Sequence, residues 1–297
     1  MSDEILCVGE ILWDALPEGL FLGGAPFNVV SHLRALNQAA AFVSRVGDGR
    51  LGQEALRRMR ARGLDTSLMQ IDGSLPTGFV QVELGEIGEP DYEVLEPAAW
   101  DTITYSDALE QHADRADALV YGSLAQRAPT SRHTIRRLCE ADLLRVFDVN
   151  LRPPFVDRSV IERSLQAADV VKCNDDELRR LRNWFDLPDG LEAATTALAA
   201  AFDCSAICVT AGSDGAWLWM NDVCSHHPGY AADVEDTVGA GDAFLAALLA
   251  GLLSGRNGKS LLDLANRLGT FVASRSGALP PYSVDTLGGI ADLPLNP

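Results

Sequence analysis

Apolar residues fall along the chain in two rhythms. Short apolar runs such as Ile5 to Val8, Ala39 to Val46, Leu119 to Tyr121, Arg145 to Val149, Val170 to Lys172 and Ala206 to Thr210 are each closed by glycine or a polar residue. That pattern predicts strands of a parallel sheet buried on both faces. Between them, spacings of three and four (Val29, Val30, Leu33, Leu36) and the stretches Glu54 to Arg62, Leu178 to Trp184, Ala243 to Leu253 and Leu261 to Ser274 predict helices. Strand and helix alternate, the mark of an α/β chain. One segment breaks the order. Thr77 to Leu84 alternates apolar and polar residues and is followed by a turn, Gly85 to Pro90, and a second run, Tyr92 to Leu95. This predicts a half-buried hairpin inserted between α/β units, ending at Glu96 to Asp101.

The stretch with the most chemistry is Asp236 to Phe244, DTVGAGDAF. Gly239 and Gly241 remove the Cβ atoms that would keep a backbone from closing on a phosphate, and a helix-forming run follows. Converging N–H groups and the positive end of a helix dipole make an anion site of such a turn. Asp242 lies in the first turn, placed to accept a proton from a hydroxyl beside a bound phosphate. The plainer alternative makes Asp236 a helix cap and the glycines packing residues. A core helix needs no second carboxylate beside two glycines, so phosphate chemistry is preferred.

Further candidates follow at the carboxyl ends of the predicted strands, where open α/β sheets bind ligands. Asp14 lies on a predicted loop past the first strand, as a hydrogen-bonding partner for a polyol or as a solvated loop residue. Phe21 to Asn28 carries Gly23-Gly24 and then Asn28 in the first turns of a helix opened by Pro26. Asn150 and Arg152 follow the strand ending at Val149, with Arg152 assigned to substrate or phosphate or to a surface ion pair. Asn174 to Glu177 has the spacing of a capping box, sufficient alone to start a helix. Ala211 to Gly215 is a glycine turn after the strand ending at Thr210. Gly47 to Gly52 reads literally GxGxxG with Asp72 downstream, a rival dinucleotide-binding fingerprint. Its strand is not the first, and Asp48 and Arg50 would crowd a pyrophosphate. Gly258-Lys259-Ser260 fails as a P-loop, because Leu253 stands where glycine is required.

Taken in order, these motifs resemble those of the ribokinase-like (PfkB) carbohydrate kinases, and the DVNLRPPF and YGSLAQR segments are most similar to the bacterial fructokinases of that family. The resemblance spans nearly the whole chain. It implies a three-layer α/β fold with a central, mostly parallel sheet and a small β lid formed by residues 11–22 and 77–104. It implies ATP-dependent phosphorylation of a sugar hydroxyl, fructose to fructose 6-phosphate, with ribose, 2-keto-3-deoxygluconate or a nucleoside as other acceptors. Asp242 corresponds to the family's catalytic base, and Gly239, Ala240 and Gly241 to its anion hole. Asp14, Gly24, Asn28 and Arg152 correspond to the sugar site, and Asn174, Thr210, Gly212, Gly215, Gly241 and Asn266 to the nucleotide site. Asn174 and Glu177 would organise Mg²⁺ through waters, while Asp236, Val238 and Gly277 would enclose a monovalent cation such as K⁺. Phe27 departs from the small residue usual at its position, a change expected to reshape the sugar pocket.

Composition narrows the partners. The net charge of −18 disfavours nucleic acid and anionic membrane surfaces. Only Lys172 and Lys259 are lysines, so anion contacts elsewhere fall to arginine or backbone N–H groups. The six cysteines form no CxxC pair, which argues against a zinc site or a disulfide framework and for a reducing compartment. With no basic segment before an apolar run at the N-terminus, the expected location is the cytoplasm. Phe244 to Leu253 is too short to span a bilayer. A homodimer paired through the lids is the expected assembly, and a catalytically silent sugar-binding protein on the same fold is the remaining rival class.

Overall fold

The computed structural model describes residues 4–84 and 90–283. In chain order the elements are β1 (Glu4–Val8), β2 (Leu12–Leu16), β3 (Gly19–Gly23), α1 (Ala25–Ala35), β4 (Ala39–Gly47), α2 (Arg50–Ala61), β5 (Met69–Asp72), β6 (Gly78–Leu84), β7 (Pro90–Val94), α3 (Asp107–Ala113), β8 (Ala118–Gly122), α4 (Pro129–Leu138), β9 (Leu144–Asp148), α5 (Arg158–Ala167), β10 (Val170–Asn174), α6 (Asp175–Phe185), α7 (Leu191–Phe202), β11 (Ala206–Thr210), β12 (Ala216–Met220), β13 (Val223–His227), α8 (Ala240–Leu253) and α9 (Gly258–Ala273).

Nine strands form the main sheet in the order β13-β12-β11-β10-β9-β8-β1-β4-β5. From β5 to β11 every pairing is parallel, and β12 and β13 add an antiparallel edge. The buried strands alternate between two cores. Ile5, Cys7, Val120, Val146 and Val170 pack under α1, α2, α8 and α9, whereas Leu6, Val8, Tyr121, Phe147 and Val171 pack on α3 to α7. A period of two thus divides one apolar run between two helix layers, which makes the architecture three-layered. The strand order reverses direction beside β1, and the carboxyl ends meeting there open the crevice where ligands bind in such sheets.

A separate four-stranded sheet, β3-β2-β6-β7, joins residues 12–23 to residues 78–94. Asp14 therefore lies within β2 rather than on a loop, paired with Phe21 and Val80, because β2 continues almost directly from β1 into the second sheet. Val80 is buried and Gln81 exposed, the alternation expected of a one-sided strand. The predicted turn after Leu84 falls largely outside the described residues. The second sheet ends sooner than residue 104: Ala98 to Ile103 is buried in the main core, with Trp100 wholly enclosed and Asp101 bound by Arg127 at 2.8 Å. Among the described residues no helix is long and apolar enough to cross a membrane.

Candidate active site

The α8 turn has two glycines for two different reasons. Gly239, the N-cap, has φ +77°, and a Cβ there would come within 2.5 Å of Ala278. Gly241 is helical, and a Cβ on it would meet the Lys172 Nζ at 3.2 Å. The Ala240 N–H turns back to the Thr237 carbonyl at 3.3 Å, leaving Gly241 and Asp242 as the leading amides of the helix. With no residue four positions earlier in the helix to accept them, these amides and the helix dipole face any anion at the turn.

Asp242 is joined to Asn28 by a hydrogen bond, Nδ2 donating to Oδ2 at 2.8 Å. Asn28 is buried and its Oδ1 has no partner among the described residues. Burial raises the Asp242 carboxyl to about 6, against the stabilising charge of Lys172 and the Asn28 bond; Asp148 pushes the same way as burial. A carboxylate held near neutral in this way is suited to take up a proton.

Three more groups converge here. Gly24 has φ +115°, and a Cβ there would lie 2.5 Å from the Glu10 carbonyl, so the α1 entry requires glycine. Glu10, at the end of β1, accepts the Ala25 N–H at the start of α1, taking the place of a capping side chain that Gly24 lacks. It is 2% exposed, its Oε2 has no partner among the described residues, and burial raises it to about 7. The Asp14 carboxylate lies against Gly23, where a Cβ would approach Oδ2 to 2.5 Å, and burial raises it to about 6. The exposed Arg152 lowers Glu10, Asp14 and Asp242 alike by its charge. One arginine shared by three carboxylates, with two unpartnered buried acceptors beside it, describes a site made for donors such as hydroxyls. Phe27 is not part of it: the ring is fully buried against Phe42, 6.1 Å between centroids, so the departure at that position fills the core instead of the pocket.

On the other side of Asp242 lies the β10–α6 junction. Asn174 Oδ1 accepts the Glu177 N–H at 2.8 Å and Glu177 Oε2 accepts the Asn174 N–H at 2.9 Å, a complete capping box. Glu177 Oε1 accepts the Leu151 N–H at 2.8 Å, tying the box to the loop that carries Arg152. With each carboxylate oxygen already bonded once, the pair suits a cation held through waters, since one lone pair per oxygen remains. Among the described residues no three His, Cys, Asp or Glu cluster around a metal position. Thr210 closes β11 with its hydroxyl 3.5 Å from the Cys173 carbonyl. Gly212, φ +52°, faces open space, whereas a Cβ at Gly215 would strike the His227 carbonyl at 2.0 Å. Asn266 is buried and donates to the Leu262 carbonyl of its own helix at 2.8 Å. Asp236 bridges two loops, accepting the Val238 N–H at 2.9 Å and the Gly277 N–H at 3.0 Å.

Lys172 and Glu10 escape the sequence motifs, and Asp148, the first residue of DVNLRPPF, carries no role there. Lys172 Nζ lies 3.1 and 3.3 Å from the two Asp148 oxygens, and both side chains are buried. A visible signal is the placement of each residue at the end of a short apolar run, where a charge is out of character unless it serves a site.

The dinucleotide fingerprint is overturned. A Cβ at Gly52 would sit 1.8 Å from the Gly47 carbonyl and one at Gly47 2.7 Å from the Leu75 carbonyl. The Gly47 N–H is taken by Thr77 and the Asp48 N–H by the Asp72 carbonyl, and Asp72 itself binds Ser74, Leu75, Thr102 and Arg45. The turn is filled by its own protein, with no cradle for a pyrophosphate.

The pfkB family carbohydrate kinase profile matches residues 18–285. The chain belongs to this family. It is accordingly an ATP-dependent sugar kinase of ribokinase-like fold. The fructokinase of Klebsiella pneumoniae is 30% identical over 308 residues, spanning 96% of this chain and 98% of its own. A sugar kinase of Pyrococcus horikoshii is 30% identical over 297 residues, spanning 92% of this chain and 91% of its own. The crystal structure of the Pyrococcus protein superposes with a TM-score of 0.83 at 27% identity, covering 97% of each chain. A fructokinase structure from Xylella fastidiosa gives a TM-score of 0.84 at 22% identity over 98% of each chain, a likeness of fold.

Proposed function

We propose that this kinase transfers the γ-phosphoryl group of ATP to the 6-hydroxyl of fructose. The observation that carries the reading is the Asn28–Asp242 bond, which sets an acceptor-rich, carboxylate-lined pocket directly against the α8 anion turn. The fructokinase relative supports the choice of sugar. The Pyrococcus protein has been solved in complex with ATP, which supports the nucleotide.

In this scheme Asp14, Asn28 and the Gly24 backbone hold the sugar hydroxyls, and the Arg152 charge favours the ionised form of the surrounding carboxylates. Asp242 accepts the proton of the attacking hydroxyl as its oxygen bonds to phosphorus and the bond to the departing ADP breaks. The Gly239 to Asp242 turn holds the transferring phosphoryl group, and the protein's part is mainly positioning and charge stabilisation. Asn174 and Glu177 would hold a Mg²⁺ ion through waters, and such an ion would neutralise charge on the nucleotide phosphates. Thr210, Gly212, Gly215 and Asn266 form the nucleotide side, and Asp236, Val238 and Gly277 would hold a K⁺ ion, which would add positive charge beside the turn.

The deciding experiment is coupled ADP release over a panel of fructose, ribose, 2-keto-3-deoxygluconate and nucleosides, with the product identified by ³¹P NMR. A higher kcat/KM for any of the other acceptors replaces fructose as the substrate. ATP turnover with none of them leaves the silent-protein reading standing.

A further inference from the structure

Lys172 is one of two lysines in the chain, and the other, Lys259, is exposed. It lies near the end of β10, on the face shared with Val170, which the alternation of the strand turns toward α8. Its neighbour across the parallel pairing of β9 and β10 is Asp148, in direct register. Side-chain exposures of 8% and 5% make this a buried ion pair. Such a pair is weak support for a fold, because two apolar residues of similar volume serve stability as well or better. Its retention inside an apolar core has to be explained by something else.

The explanation lies on the opposite side of the ammonium group. Among the described residues, leaving aside its own helix and chain neighbours, Lys172 supplies the only atoms within 4 Å of a Cβ built on Gly241. Gly241 has ordinary helical geometry, where alanine is favoured by about 1 kcal/mol, so its conformation does not demand glycine. The missing side chain admits the lysine to the first turn of α8. The Asp148 carboxylate, 3.1 and 3.3 Å from the ammonium, is the counter-charge that holds the group as a buried ion pair.

We propose that Lys172, braced by Asp148 beneath the Gly241 turn, supplies the fixed positive charge of the phosphoryl site and acts through the first-turn amides of α8 on the γ-phosphoryl group of a nucleoside triphosphate. This rests on the reading of that turn as the phosphoryl site. Lys172 is a positioning residue: it has no proton to give at working pH, and its charge completes an anion hole otherwise made of amides alone. The paired Asp148 fixes the ammonium in place before substrate arrives, which is the condition under which a charge stabilises a transition state without reorganisation.

The test compares wild type with Lys172→Met, Lys172→Arg and the double variant Lys172→Met with Asp148→Asn, which removes both buried charges. Calorimetry measures binding of Mg²⁺ with the β,γ-imido analogue of ATP and of Mg²⁺ with ADP. Lys172→Met and the double variant are expected to weaken the triphosphate analogue about 10²-fold while ADP affinity changes by less than about threefold. In turnover the same variants lose about 10²-fold in kcat with the sugar KM little changed, and Lys172→Arg recovers part of both. Circular dichroism melts separate these losses from unfolding, since the double variant removes both members of the ion pair together. Equal losses for ADP and the triphosphate, or a Lys172→Met enzyme with wild-type discrimination, overturn the inference. If no sugar is phosphorylated even by wild type, the fructokinase reading falls while the calorimetric comparison still decides the role of Lys172.

Discussion

Asn28 and Asp242 lie 214 residues apart in sequence and are joined by a hydrogen bond of 2.8 Å between Nδ2 and Oδ2. The bond fastens the first turns of α1 to the first turn of α8, so that the helix entries capped by Gly24 and Gly239 face one another. Replacing Asp242 by Asn keeps the shape and removes the proposed acceptor of the hydroxyl proton. The expected outcome is a loss of about 10²- to 10⁴-fold in kcat with an unchanged circular dichroism spectrum. Near-normal turnover would remove Asp242 from the chemistry.

The same bond sets a pH dependence. Burial raises Asp242 to about 6, and the base works only when ionised, so kcat/KM falls as pH drops through that value. Asn28 donates to the ionised form and therefore lowers the carboxyl; Asn28→Ala moves the acid limb upward. Glu10, at about 7, and Asp14, at about 6, titrate in the same range, so the limb is a property of the cluster. A pH profile of kcat/KM for the two enzymes checks it, and an acid limb that stays in place or moves down contradicts the assignment.

His32 ties α1 to the C-terminal loop from beneath the anion turn. Its Nε2 is 3.0 Å from the Ala278 carbonyl, which can only accept, so that nitrogen carries the proton and Nδ1 accepts from the Tyr282 hydroxyl at 2.8 Å. Burial lowers the imidazole from 6.5 to about 4 despite the Ala278 carbonyl, with the Arg62 charge helping to lower it. Between those values the unfolded chain binds a proton that the folded one refuses, so stability is lost as pH falls from 6.5 toward 4. From pH 7 to pH 5 this one group should remove about 2 kcal/mol in urea unfolding. His32→Asn lowers the baseline but flattens that slope; an unchanged slope would place the imidazole in contact with water.

How much of this was legible in the sequence follows from what each signal reports. The two core layers were written in the apolar runs, because burial on both faces leaves no polar residue to interrupt a strand. Asn28, Asp242, Asn174 and Glu177 were marked by turn and cap chemistry that is local to a few residues. Glu10, Lys172 and Asp148 were not, since their meaning comes from strands brought side by side. Asp14 reads as a loop residue because β2 follows β1 almost directly and takes its parallel partner, β6, from more than sixty residues away. The GxGxxG of Gly47 to Gly52 misled because glycine needed for close packing and glycine needed for a phosphate look the same in one dimension.

Glu177 tests whether a cap can also serve a cation. Glu177→Gln leaves one oxygen where two N–H groups, of Leu151 and Asn174, are now bound, so a loss of about 1 kcal/mol in stability is expected from the cap alone. If the residue also holds waters of Mg²⁺, the Mg²⁺ concentration for half-maximal rate rises more than the sugar KM. A variant that only melts earlier restricts Glu177 to the cap. In the same assay, replacing K⁺ by a bulky organic cation should slow turnover through the loops joined by Asp236, and equal rates would remove the cation from that place.

The last expectation concerns the second sheet as a lid. β3 is its edge strand, and it exposes Leu20 and Phe21 at 43% and 44%, two large apolar residues on a strand with free backbone groups to pair. Natural proteins cover such edges, and an isologous pairing of two copies covers both at once. β2 lies between β3 and β6 and carries Asp14, so whatever closes on the edge also steadies the carboxylate proposed to hold the sugar. Closing the sheet over the pocket would exclude water, which otherwise competes with the sugar hydroxyl for the phosphoryl group. Leu20→Glu with Phe21→Glu should therefore shift the protein toward monomer in analytical ultracentrifugation and raise the sugar KM. Removing the β6–β7 hairpin should raise it further and increase the ratio of ATP hydrolysed to sugar phosphorylated. A hairpin-deleted enzyme that still prefers fructose to ribose and wastes no ATP would leave Asp14, Gly24 and Asn28 to set specificity without a lid.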